Sequence, residues 1–187
     1  SFGNGDNDIY LIKTDGNGDS LWTKTFGGTD TELGNSVQQT TDGGFIITGS
    51  TQSFGNGDND IYLIKTDGNG DSLWTKTFGG TDDESGSSIQ QTTDGGYIIT
   101  GTTGSYVNGY SDVFLMKTNG NGDSLWTKTF GGIYYDWGSS VQQTTDGGYI
   151  IAGTSSGNVY LIKTDSSGNL TTYGCTDPSA TNYDPTA

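Results

Sequence analysis

The side chains with the most chemical potential in this sequence are carboxylates and carboxamides set among glycines. Asp15-Gly16-Asn17-Gly18-Asp19 places oxygens at alternate positions, as the first half of an EF-type calcium loop does, and the run recurs with Asp67, Asn69 and Asp71. A third copy opens with Asn119 and closes with Asp123. The bidentate Glu that completes such a loop is missing, because Phe26 stands at its position, so other oxygens would have to fill the shell. The segment FGNGDND offers a separate cation site through Asp6 and Asp8, and again through Asp58 and Asp60. Calcium is the ion such a site would take; no cofactor is required. The same residues also suit plain tight turns, since Asp, Asn and Gly tolerate positive φ and Asp and Asn bond their own backbone. Both readings stand at this stage.

A second group is aromatic apart from one isoleucine. Tyr106, Tyr110, Ile133, Tyr134, Tyr135 and Trp137 crowd into segments that differ between otherwise similar stretches of chain. Rings with polar tips fit carbohydrate or protein contacts, and they equally fit caps over neighbouring structure. Catalysis has little to work with. There is no His to act as base or metal ligand, and all seven basic residues are Lys, so no guanidinium clamps a phosphate. The acid cluster Asp82, Asp83 and Glu84 could imitate a glycosidase pair, but a chain with 22 acids forms such clusters without function. The expectation is that this is not an enzyme. A net charge of −15 repels phosphate backbones and anionic lipid, which excludes nucleic acid as a partner and argues against a membrane surface. No apolar run approaches the length of a membrane span.

The elements that must position these residues follow from a repeat. Residues 1–30 recur unchanged as 53–82, and Asp8, Asp60 and Asp112 mark a period of 52 residues. Each period holds four strand candidates, at 8–14, 20–26, 36–40 and 45–51 in the first. They are short, β-branched and aromatic, and are joined alternately by DGNGD or TDGG turns and by longer connections. The pattern returns at 60–66, 72–78, 88–92, 97–103, 112–118, 124–130, 140–144, 149–154 and 158–164, with a weak last strand near 169–173. No helical periodicity competes. The fold class expected is all-β, a β-propeller of 52-residue four-stranded antiparallel blades over residues 1–173, about three and a half blades with repeat starts near 8, 60, 112 and 158. Residues 174–187 read as a linker or the start of a Cys-containing module.

In such a meander the short turns share one face and the long connections share the other. The short-turn face is nearly constant between repeats. Variation gathers on the long-connection face: 29–33, 81–85 and 133–137 in one loop, and 53–59 and 105–111 in the other. Function concentrates in loops held by a rigid scaffold, so this face is the candidate binding surface. Trp22, Trp74 and Trp126 keep identical places in every repeat, which suits docking between neighbouring units. Gln38, Gln39 and their repeats are expected to bond between adjacent strands.

The runs LIKTDGNGDSLWTKTFGG and SVQQTTDGGFIITGST resemble the repeats of secreted bacterial and archaeal β-propeller proteins, relatives of the quinoprotein-like propellers. The tail YGCTDPSATNYDPTA resembles the Gly-Cys-x-Asp…Asn-Tyr-Asp-Pro segment of secreted Bacteroidetes proteins. The resemblance implies a secreted, extracellular or cell-surface protein, and a Cys175 that pairs outside these residues. It also marks Ser20, Ser72 and Ser124, each between Asp and Leu, as candidates for the O-glycosylation used in that group. The chain opens in mid-repeat, so it reads as a mature or partial segment of something longer, with other copies of itself or upstream blades as partners. The expected function is a non-catalytic extracellular structural or adhesive repeat module, part of a cell-surface assembly or fibre. The alternative is a multivalent, lectin-like propeller that binds carbohydrate through the aromatic-rich loops.

Overall fold

The computed structural model describes residues 5–107 and 109–171, and these are all-β. Thirteen strands follow in order among them: β1 Ile9–Thr14, β2 Ser20–Phe26, β3 Glu32–Gln39, β4 Phe45–Thr51, β5 Asp60–Thr66, β6 Ser72–Phe78, β7 Glu84–Gln91, β8 Tyr97–Thr103, β9 Asp112–Thr118, β10 Ser124–Phe130, β11 Asp136–Gln143, β12 Tyr149–Ser155 and β13 Asn158–Thr164. They form four antiparallel sheets: β1-β2, β3-β4-β5-β6, β7-β8-β9-β10 and β11-β12-β13. Of the weak last strand expected near 169–173, an isolated bridge between Thr164 and Leu170 is described; its end, like the 174–187 segment and Cys175, lies outside the described residues.

The turns form for the reasons the sequence supplies. In each TDGG turn the Asp carboxylate accepts the preceding Thr hydroxyl and the second Gly N–H, as Asp42 does from Thr40 (2.6 Å) and Gly44 (3.0 Å). The first Gly takes a positive φ, +85° at Gly43, which a side chain would strain. In the DGNGD turn Asp15 Oδ1 accepts the backbone N–H groups of Asn17 and Asp19, an Asx arrangement repeated at Asp67 and Asn119.

Two features differ from expectation. The hydrogen-bonded sheets span 32–78 and 84–130, so a sheet combines the second half of one counted repeat with the first half of the next. A period carries no origin; the origin is set by the ladder, and the break falls at the Gly-Gly segment after β2 and β6. The strands expected at 36–40, 88–92 and 140–144 also begin earlier, at Glu32, Glu84 and Asp136. A bulge after Gly34, Gly86 and Gly138 lets each ladder continue through a Gly-Asn or Gly-Ser pair that reads as a breaker. The last two residues of the segments 29–33, 81–85 and 133–137 therefore belong to strands rather than loops.

Successive sheets stack face to face. β7 packs on β3, β4 and β5, and β11 repeats the contact on β7, β8 and β9. Ile46, Ile61 and Leu63 of one sheet meet Ile89, Tyr97, Ile99, Phe114 and Met116 of the next. Ile98, Val113 and Leu115 meet Val141, Tyr149, Ile151 and Ile162 one junction later. Each fully buried aliphatic side chain contributes about 1.5–3 kcal/mol, so these layers dominate the stability. The tryptophans sit at the junctions. Trp22, Trp74 and Trp126 lie 5.8, 6.1 and 5.9 Å from Phe45, Tyr97 and Tyr149 on the following sheet. Glutamines also link sheets rather than neighbouring strands: Gln90 Oε1 accepts the Gln143 N–H at 2.6 Å, and Gln38 Oε1 that of Gln91 at 2.5 Å.

Candidate functional site

The first strands β3, β7 and β11 begin on the long-connection face, and their second residues, Leu33, Ser85 and Trp137, line one cleft of about 730 Å³. Asn59, Asp82, Asp83, Tyr110 and Tyr135 line it as well. The two tyrosine rings stack with centroids 4.5 Å apart and planes 20° from parallel. Asn59 donates to Asp83 Oδ1 at 2.7 Å, which fixes a carboxylate at the rim. A stacked aromatic wall beside exposed carboxylates and an amide can hold a polar ligand with an apolar face.

Three of the aromatic candidates therefore come together: Tyr110, Tyr135 and Trp137. Tyr106 does not join them. Its hydroxyl donates to the Gly79 carbonyl at 3.3 Å, and its ring lines a separate, smaller pocket of about 250 Å³ with Phe78 and Phe114. Ile133 and Tyr134 are exposed and line neither pocket.

Asp15, Asp67, Asp71 and Asp123 make structural contacts. Asp15 and Asp67 serve the Asx turns, whose N–H donors hold both carboxyls below their ordinary range. Asp71 pairs with Lys24 of the preceding sheet, and Asp123 with Lys76 at 3.0 Å, so the DGNGD turns tie sheet to sheet. Asn17, Asp19 and Asn69 stay on the exposed turns. Among the described residues, no three His, Cys, Asp or Glu side chains converge on one point. Ser20, Ser72 and Ser124 are exposed at the strand starts.

The FGNGDND acids separate. Asp6 and Asp58 are exposed, while Asp8 and Asp60 turn inward toward Glu32 and Glu84. A Cβ on Gly27 would collide with both Asp8 and Glu32, and one on Gly79 with both Asp60 and Glu84. The glutamates are loop clamps. Glu84 accepts from the Thr103 hydroxyl (2.8 Å), the Ser105 N–H (3.1 Å) and the Gly80 N–H (2.6 Å), and Glu32 makes the same bonds with Thr51, Ser53 and Gly28. Burial alone would raise the Glu32 carboxyl, but the Thr51 and Ser53 hydroxyls and the Gly28 and Ser53 N–H groups outweigh it and hold it low. Sequence reasoning missed these residues as a set. The available signal was an acid at the fourth position of three otherwise variable segments, Glu32, Glu84 and Asp136.

No family model matches the chain. It is 24% identical over 217 aligned positions to a Caulobacter vibrioides protein named "Regulatory protein FlaEY", an alignment covering 98% of this chain and 22% of that protein. The chain thus spans about a fifth of the length of the relative it matches.

Proposed function

We propose that the chain is a non-catalytic, extracellular structural or adhesive repeat module whose stacked sheets are blades of a β-propeller-type array. The observation that carries this reading is the contrast between interior and end faces. Leu161 is 64% exposed and Val159 93% on the last sheet, while their repeat equivalents Leu63, Leu115, Ile61 and Val113 are fully buried. At the other end Ile12 is 49% exposed, against full burial of Ile64 and Met116. The occupant each end face fits is another sheet of the same repeat, because that is what covers these positions in the interior. The name of the Caulobacter relative speaks of regulation; at 24% identity over a fifth of its length it transfers no activity. Light scattering of the chain over a wide concentration range is the test. Association that grows with concentration supports the module; a monomer throughout, with these faces uncovered, refutes it.

The cleft supports a second reading, carbohydrate binding. Leu33 and Ser85 stand where the third repeat has Trp137, so the aromatic wall occurs once and the site is single rather than multivalent. Titration with neutral and amino sugars, comparing wild type with Trp137→Ala, checks it: saturable binding lost in the variant is the expected outcome.

A further inference from the structure

The acid pair at the third junction differs from the first two in its second member, while the first acid resembles Asp8, whose Oδ1 is also buried without a partner. Asp112 opens β9 and is 8% exposed; Asp136 opens β11 and is 1% exposed. Both flank Gly131, where a Cβ would overlap Asp112 Oδ1 and stand 2.7 Å from Asp136 Oδ2. Asp136 replaces the clamp glutamate and is one methylene shorter. The connection that follows its partner strand is also cut to Ser156 and Gly157, which removes the N–H that Ser53 and Ser105 supply to Glu32 and Glu84. Ser155 stands opposite Asp136 in the ladder, where Thr51 and Thr103 donate to the glutamates, yet Asp136 Oδ1 accepts no such bond. Asp136 Oδ2 keeps the Gly132 N–H at 2.9 Å. Asp112 Oδ1 and Asp136 Oδ1 are both buried without a hydrogen-bond partner, and none of the lysine ion pairs among the described residues reaches either acid.

Two neighbouring buried carboxylates with orphaned oxygens and no counter-charge are unfavourable as they stand, since a buried charge is retained only when paired or coordinated. We propose that Asp112 and Asp136 together hold a hard divalent cation of the calcium type. Oxygen-only donors suit such an ion, and its flexible shell accepts two carboxylates completed by carbonyl or water oxygens. Burial, and next the Asp136 charge, push the Asp112 carboxyl up. The Tyr160 hydroxyl is raised by burial and by the charges of Asp136 and Asp112, so an aromatic antenna lies beside the pair.

The inference is independent of the function proposed above, and its test uses the whole chain. Calorimetric titration with calcium, and terbium luminescence excited through tyrosine, should give one bound ion lost in Asp136→Asn and in Asp112→Asn. Asp19→Asn and Asp71→Asn, in the exposed turns, should retain it. The melting temperature of wild type should rise with the logarithm of free calcium and fall back with chelator. No bound ion in wild type overturns the proposal, as does binding unchanged in both pair variants. A calcium-free melting temperature raised by Asp136→Asn, with wild type indifferent to calcium, also overturns it and assigns the pair a shared proton. If the pair variants do not fold, anomalous diffraction from terbium-soaked wild-type crystals decides: a peak between the two carboxylates supports the site, and peaks only elsewhere overturn it.

Discussion

Lys117 shows how these sheets tolerate a cation in their interior. Its ammonium is buried, donates to the Thr118 carbonyl at 2.8 Å and pairs with Asp94 at 2.9 Å, and the same geometry recurs at Lys65 with Asp42 and Lys163 with Asp146. Asp94 itself is mostly exposed, so the pair sits at a boundary where solvent screens part of the attraction. Removing the acid still strands a buried ammonium on a single carbonyl. Asp94→Ala should cost about 1–3 kcal/mol in urea unfolding, and Lys117→Met in the same background should recover the part due to the stranded charge but not the part due to the lost Thr92 and Gly96 bonds. The acids also set a pH response. The Lys65 hydrogen bond first, then the Thr40 hydroxyl and Gly44 N–H, hold Asp42 down to about 2. Burial pulls Asp94 upward, but the Thr92 hydroxyl, Lys117 and the Gly96 N–H outweigh it and bring it to about 2 as well. Groups depressed by folding contribute stability that is complete above their ordinary value of 3.8 and lost as pH falls through about 2. Asp112, raised by folding, has the opposite sign: without a bound cation it favours the folded state at low pH and opposes it as pH rises through its folded value. Urea midpoints between about pH 5 and pH 2 should therefore fall in wild type, and less steeply in a Lys65→Met, Lys117→Met variant, which lacks the cations that depress the two acids.

At the scale of the element, the turns at 67–71 and 119–123 double as seats for Trp22 and Trp74 of the sheet before them. Gly122 has φ +79°, and a Cβ there would come within 2.6 Å of the Trp74 ring. Gly18 holds the same turn position with φ +88° and nothing within 4 Å, since no described sheet lies before it. Gly18→Ala should cost about 1–2 kcal/mol from the positive φ alone. Gly122→Ala should cost about 2–4 kcal/mol, because the methyl also displaces the docked ring. The difference, read from paired denaturation curves, measures the junction. The hairpins were legible because Asp, Gly and Thr act within a few residues of one another. Sheet phase was not, because a strand with equal claims on two neighbours reveals its partner only through the ladder. The early strand start at Glu32 was hidden behind Gly34-Asn35, a pair that looks like a stop and acts as a bulge. Much the same holds for the site. The aromatic crowding on the long-connection face was readable, but not that stacking would select Tyr110 and Tyr135 while the Gly79 carbonyl engaged Tyr106.

For the molecule as a whole, repeat symmetry makes each position its own control. Leu115 is fully buried and Leu161, its equivalent on the last sheet, is not. Leu115→Lys inserts an unpaired charge into a packed junction and should cost more than about 4 kcal/mol, enough to unfold the chain. Leu161→Lys should change monomer stability by no more than about 0.5 kcal/mol, because that side chain already meets solvent. Its effect should fall on association instead. Sheets stack here in one direction, so a contact between copies sets the last sheet of one against the first of the next, a heterologous arrangement that propagates unless rotation closes it. Leu161→Lys blocks one of those faces, and Ile12→Lys, at the opposite end, blocks the other. Each variant alone should remain monomeric at concentrations where wild type associates. Mixed in equal amounts, they keep one intact face each and should form a single discrete dimer by light scattering. Two variants that remain monomeric when mixed would show that the end faces do not meet, and association unchanged in either variant alone would place the contact elsewhere on the surface.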